Sequence, residues 1–167
     1  MAYEFDKLNI NWGGGGGFAP ADWRFVWEKV IQAYHVQTVL EYGCGLSTEL
    51  MVAVGLHVIS LETQQQFADI YKAAGFEVVL CDYEEGYPAV LPDRWDLGFV
   101  DGPGEKERHD RSKSVLHAME HCDLIYLHDY NLHQFEHLDS SGDWKAATQY
   151  SERQNHLYIR RQSSIYN

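Results

Sequence analysis

Hydrophobic positions along the chain change period several times, and the changes mark out alternating helices and strands. After Asp22, a residue type that caps helices, Trp23, Phe25, Val26, Val30, Ile31 and Tyr34 recur near the 3.6-residue helical period. The short apolar run Thr38–Tyr42 predicts a strand that breaks at Gly43-Cys44-Gly45, and Ser47–Ala53 a helix. Val58–Glu62 predicts a second strand, and Thr63–Ala74 a helix stopped by Gly75. Glu77–Cys81 predicts a third strand, and two prolines make Tyr87–Arg94 a loop. Asp96–Asp101 predicts a fourth strand, ending at Gly102-Pro103-Gly104. A helix from about Glu107 to His121 then leads to a fifth strand, Asp123–His128. A helix near Trp144–Glu152 and a last strand near His156–Arg161 complete the reading.

Strands alternating with helices predict an α/β fold: three layers, doubly wound around a mostly parallel sheet. The strands are short apolar runs, as expected where helices cover both faces. The 167 residues suit one domain of minimal size for such a fold. Residues 1–21 are expected to form a flexible arm, with Gly13–Gly17 as either a plain tether or a flap, and 22–167 the single domain.

In open α/β sheets, ligands sit beyond the C-terminal strand ends. The first such turn is Glu41-Tyr42-Gly43-Cys44-Gly45-Leu46-Ser47-Thr48. It lacks the third glycine of a dinucleotide fingerprint, and the chain has no phosphate-binding G-x-x-x-x-G-K-[ST]. Acid-x-G-x-G-x-S/T instead resembles the first motif of the class I, Rossmann-like, S-adenosylmethionine-dependent methyltransferases. An acid there suits the cationic methionine end of S-adenosylmethionine, and loop N–H groups suit its carboxylate. The resemblance implies cofactor contacts from Glu41, Gly43, Gly45, Ser47 and Thr48. Glu62 and Thr63 at the second strand end would hold the ribose. Asp82 would face the adenine amino group, with Tyr83 or Phe67 beside the ring.

The fourth strand ends in Asp101-Gly102, and the fifth in His128-Asp129-Tyr130-Asn131. Glu41, Glu62, Asp82, Asp101, His128 and Asp129 would then gather on one rim, where stability alone does not favour like charges. The order resembles small-molecule and sugar O-methyltransferases over Thr38–Asn131. It implies transfer to an oxygen, with Asp101, His128 and Asp129 catalytic and Asp101 also near the donor. Two mechanisms stay open: Asp101, Asp129 and Asn131 holding Mg²⁺, or metal-free catalysis with His128 as general base. Gly-Pro-Gly after Asp101, where metal-dependent sugar enzymes carry further acids, weakens the metal version. The alternative from another class is an S-adenosylmethionine-binding protein without transferase activity.

The formal net charge of −12 repels phosphate backbones, so no nucleic-acid partner is expected. The one basic cluster, Lys106, Arg108, Arg111 and Lys113, is interrupted by acids and reads as a solvated helix face. Cys44, Cys81 and Cys122 form no C-x-x-C pair, which suits reduced thiols and a cytoplasmic location. No apolar run approaches the ~20 residues of a membrane helix, so no membrane partner is expected. An exposed apolar tail of Leu157, Tyr158, Ile159, Ile165 and Tyr166 would suit a homodimer. H-x-x-E-H occurs at His117–His121 and at His133–His137, which is the spacing of an inverted zinc-peptidase motif. The first lies inside a crossover helix, away from the strand rim, and too little chain follows for a peptidase cleft.

Overall fold

The computed structural model describes residues 18–88, 93–103, 111–128, 138, 141–150 and 155–160. The Gly13–Gly17 segment therefore lies outside the described residues. Helix α1 spans Pro20–Phe25 and continues as π-helical turns over Val26–Ile31. It starts earlier than the sequence pattern suggests. Pro20 takes the first helical position, where a missing N–H costs nothing. Asp22 is thus not the cap but lies within the first turn, and its carboxylate accepts the Ala19 N–H at 2.8 Å.

Seven strands follow: β1 Thr38–Tyr42, β2 His57–Glu62, β3 Val78–Leu80, β4 Trp95–Val100, β5 Cys122–Leu127, β6 Trp144–Tyr150 and β7 Asn155–Arg160. The other helices are α2 Leu46–Ala53, α3 Gln65–Ala73 and α4 Ser112–His121. The sheet order is β3-β2-β1-β4-β5-β7-β6. Strands β1 to β5 are parallel, while β7 runs antiparallel to both its neighbours.

From Val39, Leu97, Leu124 and Leu157 onward, alternate apolar residues of β1, β4, β5 and β7 enter opposite cores, the period-2 consequence of the pleat. Val39, Leu97, Phe99, Leu124, Tyr126, Leu157 and Ile159 pack with Trp23, Val26, Val30, Leu50 and Met51 of the first two helical segments. Leu40, Tyr42, Val100, Ile125, Leu127 and Tyr158 pack with Val115 and Ala118 of α4. The result is the three-layer, doubly wound α/β arrangement read from the sequence.

Two expectations are corrected here. Residues 144–150 are a strand, not a helix. Pairing with β7 from Trp144↔Arg160 to Tyr150↔Asn155 overrides the helical preference of the alanines between them. Leu157, Tyr158 and Ile159 are not an exposed tail. They are buried because β7 is interior, between β5 and β6. Ile165 and Tyr166 lie outside the described residues. Among the described residues, no helix is long and apolar enough to cross a membrane.

Candidate functional site

The parallel strands all end at one rim, and the first turn is built there from backbone contact. Gly43 leaves β1 at φ +92°, a left-handed conformation that glycine adopts without strain. A Cβ on Gly43 would lie 3.0 Å from the Gly102 Cα, and one on Gly102 would lie 2.8 Å from both the Gly43 Cα and the Tyr42 carbonyl. These two glycines let the turn after β1 touch the end of β4 main chain to main chain. Gly102 was legible only as a strand end, because its role depends on β1 and β4 being neighbours.

Gly45 differs. It caps α2 at φ −176°, extended backbone open to any residue, and no described atom lies within 4 Å of where its Cβ would be. Packing among the described residues does not require glycine there, and no described residue fills the space beside the backbone.

Glu41 does not face that space. It is fully buried, and its carboxylate accepts the hydroxyls of Ser47, Thr48 and Ser60, each at 2.5 Å. Burial pushes its pKa up to about 7, against the lowering effect of those three donors. The acid expected beside the cationic methionine end therefore ties β1, β2 and α2 together from beneath. Ser60, two residues before the acid of β2, carries no sequence signal that marks it as the partner of Glu41.

Glu62 clamps the same turn from β2. Its Oε2 accepts the Cys44 N–H at 3.0 Å and the Cys44 thiol at 3.3 Å. Its Oε1 accepts the N–H groups of Thr63 and Gln64, both at 2.8 Å. Burial, with Glu62 beside it, pushes the Cys44 thiol pKa well up, so the thiol stays protonated. Next to this clamp lies a cavity of about 700 Å³, lined by Thr63, Gln65 and Leu80–Glu85. Asp82 is exposed in that wall, while Tyr83 is buried under Lys113, whose Nζ sits 4.7 Å from the ring centre. Phe67 is exposed on α3.

At the ends of β4 and β5, Asp101 and His128 come together. His128 Nδ1 lies 2.9 Å from Asp101 Oδ1. The imidazole is 2% exposed and the Asp101 side chain 27%, so the carboxylate is the member of the pair that reaches solvent. Arg111 donates to the carbonyls of His128, at 2.8 Å, and Pro103, at 3.2 Å. Its guanidinium lies 3.6 Å from Asp101. Arg111 is thus buried, not on a solvated face: its fork of donors satisfies two backbone carbonyls just beyond the ends of β4 and β5. On the other side of His128, Asp22 Oδ2 lies 3.8 Å from Nε2. Neither Asp22 nor Arg111 was legible as part of the site, since both come from elements that dock only in the folded chain.

Of the three side chains expected to hold Mg²⁺, only Asp101 is among the described residues. Arg111 already supplies positive charge beside Asp101, and among the described residues no three His, Cys, Asp or Glu side chains converge as metal ligands. Asp129 and Asn131 lie outside the described residues. The first H-x-x-E-H motif brings no three such side chains together. His117 Nδ1 pairs with the Tyr42 hydroxyl at 2.8 Å, and burial lowers its pKa to about 4. The His133–His137 motif lies outside the described residues.

No protein-family model matches the sequence, and no curated protein matches it significantly. Solved structures do match. One is an O-methyltransferase from Bacillus cereus in complex with S-adenosylhomocysteine, at TM-score 0.60 and 15% identity, covering 87% of this chain and 83% of that one. Another is an rRNA methylase from Escherichia coli, at TM-score 0.61 and 14% identity, covering 84% of this chain and 64% of that one. A 16S rRNA methyltransferase in complex with S-adenosylhomocysteine matches at TM-score 0.54 and 12% identity, covering 80% of this chain and 60% of that one. The chain thus spans somewhat under two thirds of these two rRNA enzymes. The fold is that of the class I S-adenosylmethionine-dependent methyltransferases. The exclusion of nucleic acid is corrected by the same finding, because two of these neighbours are rRNA methyltransferases. Net charge is a sum over the whole surface and does not describe the rim where an acceptor would sit.

Proposed function

We propose that the chain is an S-adenosylmethionine-dependent methyltransferase acting on an oxygen of a small molecule or sugar. The observation that carries this reading is Gly45, a glycine that nothing in the described packing demands, on the rim that also bears the Asp101–His128 pair. In this reading Gly43 and Gly45 let the turn approach the methionine carboxylate. Glu41, Ser47 and Thr48 hold the turn's shape from below. Glu62 and Thr63 face the ribose side, and Asp82 and Tyr83 the adenine side of the neighbouring cavity. Bound there, the cofactor supplies an electrophilic sulfonium methyl. Asp101, fixed by His128 and Arg111, accepts the proton of the acceptor hydroxyl, with Asp129 in support. Most of the rate would come from holding donor and acceptor in line in a water-poor cleft. Three free cysteines suit a reducing compartment such as the cytoplasm.

A second reading, with RNA as acceptor, is favoured by the rRNA methyltransferases among the structural neighbours. Transfer of labelled methyl to a panel of hydroxylated small molecules, sugars and structured RNA separates the two. The proposal expects a hydroxyl acceptor and activity that survives EDTA. Labelling of RNA alone would replace it with the second reading. Binding of S-adenosylhomocysteine with no transfer to any acceptor would leave a binding protein.

A further inference from the structure

The buried acid Asp22 has a place in the site that capping does not account for. It sits on α1, far in sequence from the strand ends, yet it is fully buried at their rim. Its Oδ2 accepts the Ala19 N–H at 2.8 Å, and its Oδ1 accepts the Asn155 side-chain amide at 3.0 Å. Asn155 opens β7 and is itself fully buried. The same Oδ2 faces His128 Nε2 at 3.8 Å, while His128 Nδ1 holds Asp101. Phe18, just before the helix, closes over the imidazole at 5.5 Å between ring centres. A helix cap needs only an exposed acid, and such caps tolerate water. Burying a carboxylate fully is costly unless it is paired, and an apolar residue would serve packing as well. Asp101 Oδ1 is within hydrogen-bond reach of His128 Nδ1, and Asp22 Oδ2, at 3.8 Å, attracts Nε2 when that nitrogen carries a proton.

We propose that Asp22 is a positioning residue: it sets the plane of His128, and through it the carboxylate of Asp101, so that the N-terminal segment takes part in methyl transfer. This rests on reading Asp101 and His128 as the transfer side of the cleft. The structural role and the positioning role are separated by moving the charge. Asp22→Asn/Asn155→Asp keeps the amide–carboxylate pair and an oxygen for the Ala19 N–H, but shifts the negative charge from α1 to β7. Asp22→Asn alone tests loss of the charge.

The expected result is that the double variant melts within a few degrees of the wild type. It should bind S-adenosylhomocysteine within twofold, yet transfer methyl at least tenfold more slowly in kcat, with KM for the donor unchanged. Full recovery of kcat in the double variant, or a loss of donor affinity equal to the loss of kcat, would overturn the proposal. A readout free of activity keeps it testable if the transferase reading itself fails. In spectra of the protein labelled with ¹⁵N-histidine, the ring signals of His128 are identified by their absence from His128→Gln. They should move in Asp22→Asn while the other histidine signals stay in place. Unmoved His128 signals in a folded Asp22→Asn protein would overturn it as well. Absence of any donor binding by the wild type would instead count against the transferase reading alone.

Discussion

Gly43 and Gly102 face each other across the gap between β1 and β4, and each leaves room for the other's backbone. Gly102→Ala should cost about 1–3 kcal/mol through overpacking, read as a lower denaturation midpoint. Gly43→Ala adds a left-handed residue, itself about 1–2 kcal/mol, to a similar clash. Glu41 gives a signed pH effect. Its folded pKa of about 7 lies above the usual carboxylate value, so the folded state binds more protons between about 4.5 and 7. Its contribution is fully present below that window and is lost as pH rises through it. Glu41→Gln should therefore gain on the wild type in urea stability as pH is raised from 5 to 8. A constant difference across that range would mean that the carboxyl titrates normally. Glu62→Ala should lower both melting temperature and donor affinity, because the carboxylate clamps Cys44, Thr63 and Gln64 as well as lying beside the cavity.

Among the elements, β1 is legible at its true bounds, and β2, β4 and β5 to within a residue at either end, because each is an apolar run closed by glycine, an acid or, for β5, His128. What stayed illegible depends on partners. β6 carries two alanines and no apolar alternation strong enough to name it a strand until β7 pairs with it. Arg111 looks like any charged helix residue until the ends of β4 and β5 present their carbonyls to it. Likewise, the glycines of the first turn could be named as ligand-facing, whereas only the fold divides them into Gly43, needed by packing, and Gly45, not needed by the packing of the described residues. On α4, His117 turns toward the sheet against Tyr42 and Tyr87 rather than toward a metal. Its pKa falls from 6.5 to about 4, so the folded state binds fewer protons in that window. The stability it supports is present above pH 6.5 and is lost as pH falls through 4. The slope of stability between those pH values should be shallower in His117→Gln than in the wild type. Equal slopes would place the acid sensitivity elsewhere.

For the whole molecule, ligand linkage offers a test independent of any acceptor. S-adenosylhomocysteine at a hundredfold excess over its dissociation constant should stabilise the folded chain by about 2.7 kcal/mol. At this chain length that corresponds to a rise of roughly 5–10 °C in melting temperature. NAD at the same concentration should leave it unchanged, because the first turn lacks the third glycine of the dinucleotide fingerprint. The central claim is that the open side of the first turn holds S-adenosylmethionine, and Gly45 isolates it. An alanine there strains no backbone and meets no described neighbour, so a loss of binding at an unchanged melting temperature belongs to the ligand. The most direct measurement is isothermal titration of S-adenosylhomocysteine into the wild type and Gly45→Ala. The account predicts binding near micromolar, about −8 kcal/mol, for the wild type. It predicts at least tenfold weaker binding for Gly45→Ala at nearly the same melting temperature. No binding by the wild type, or equal binding by both proteins, would contradict it.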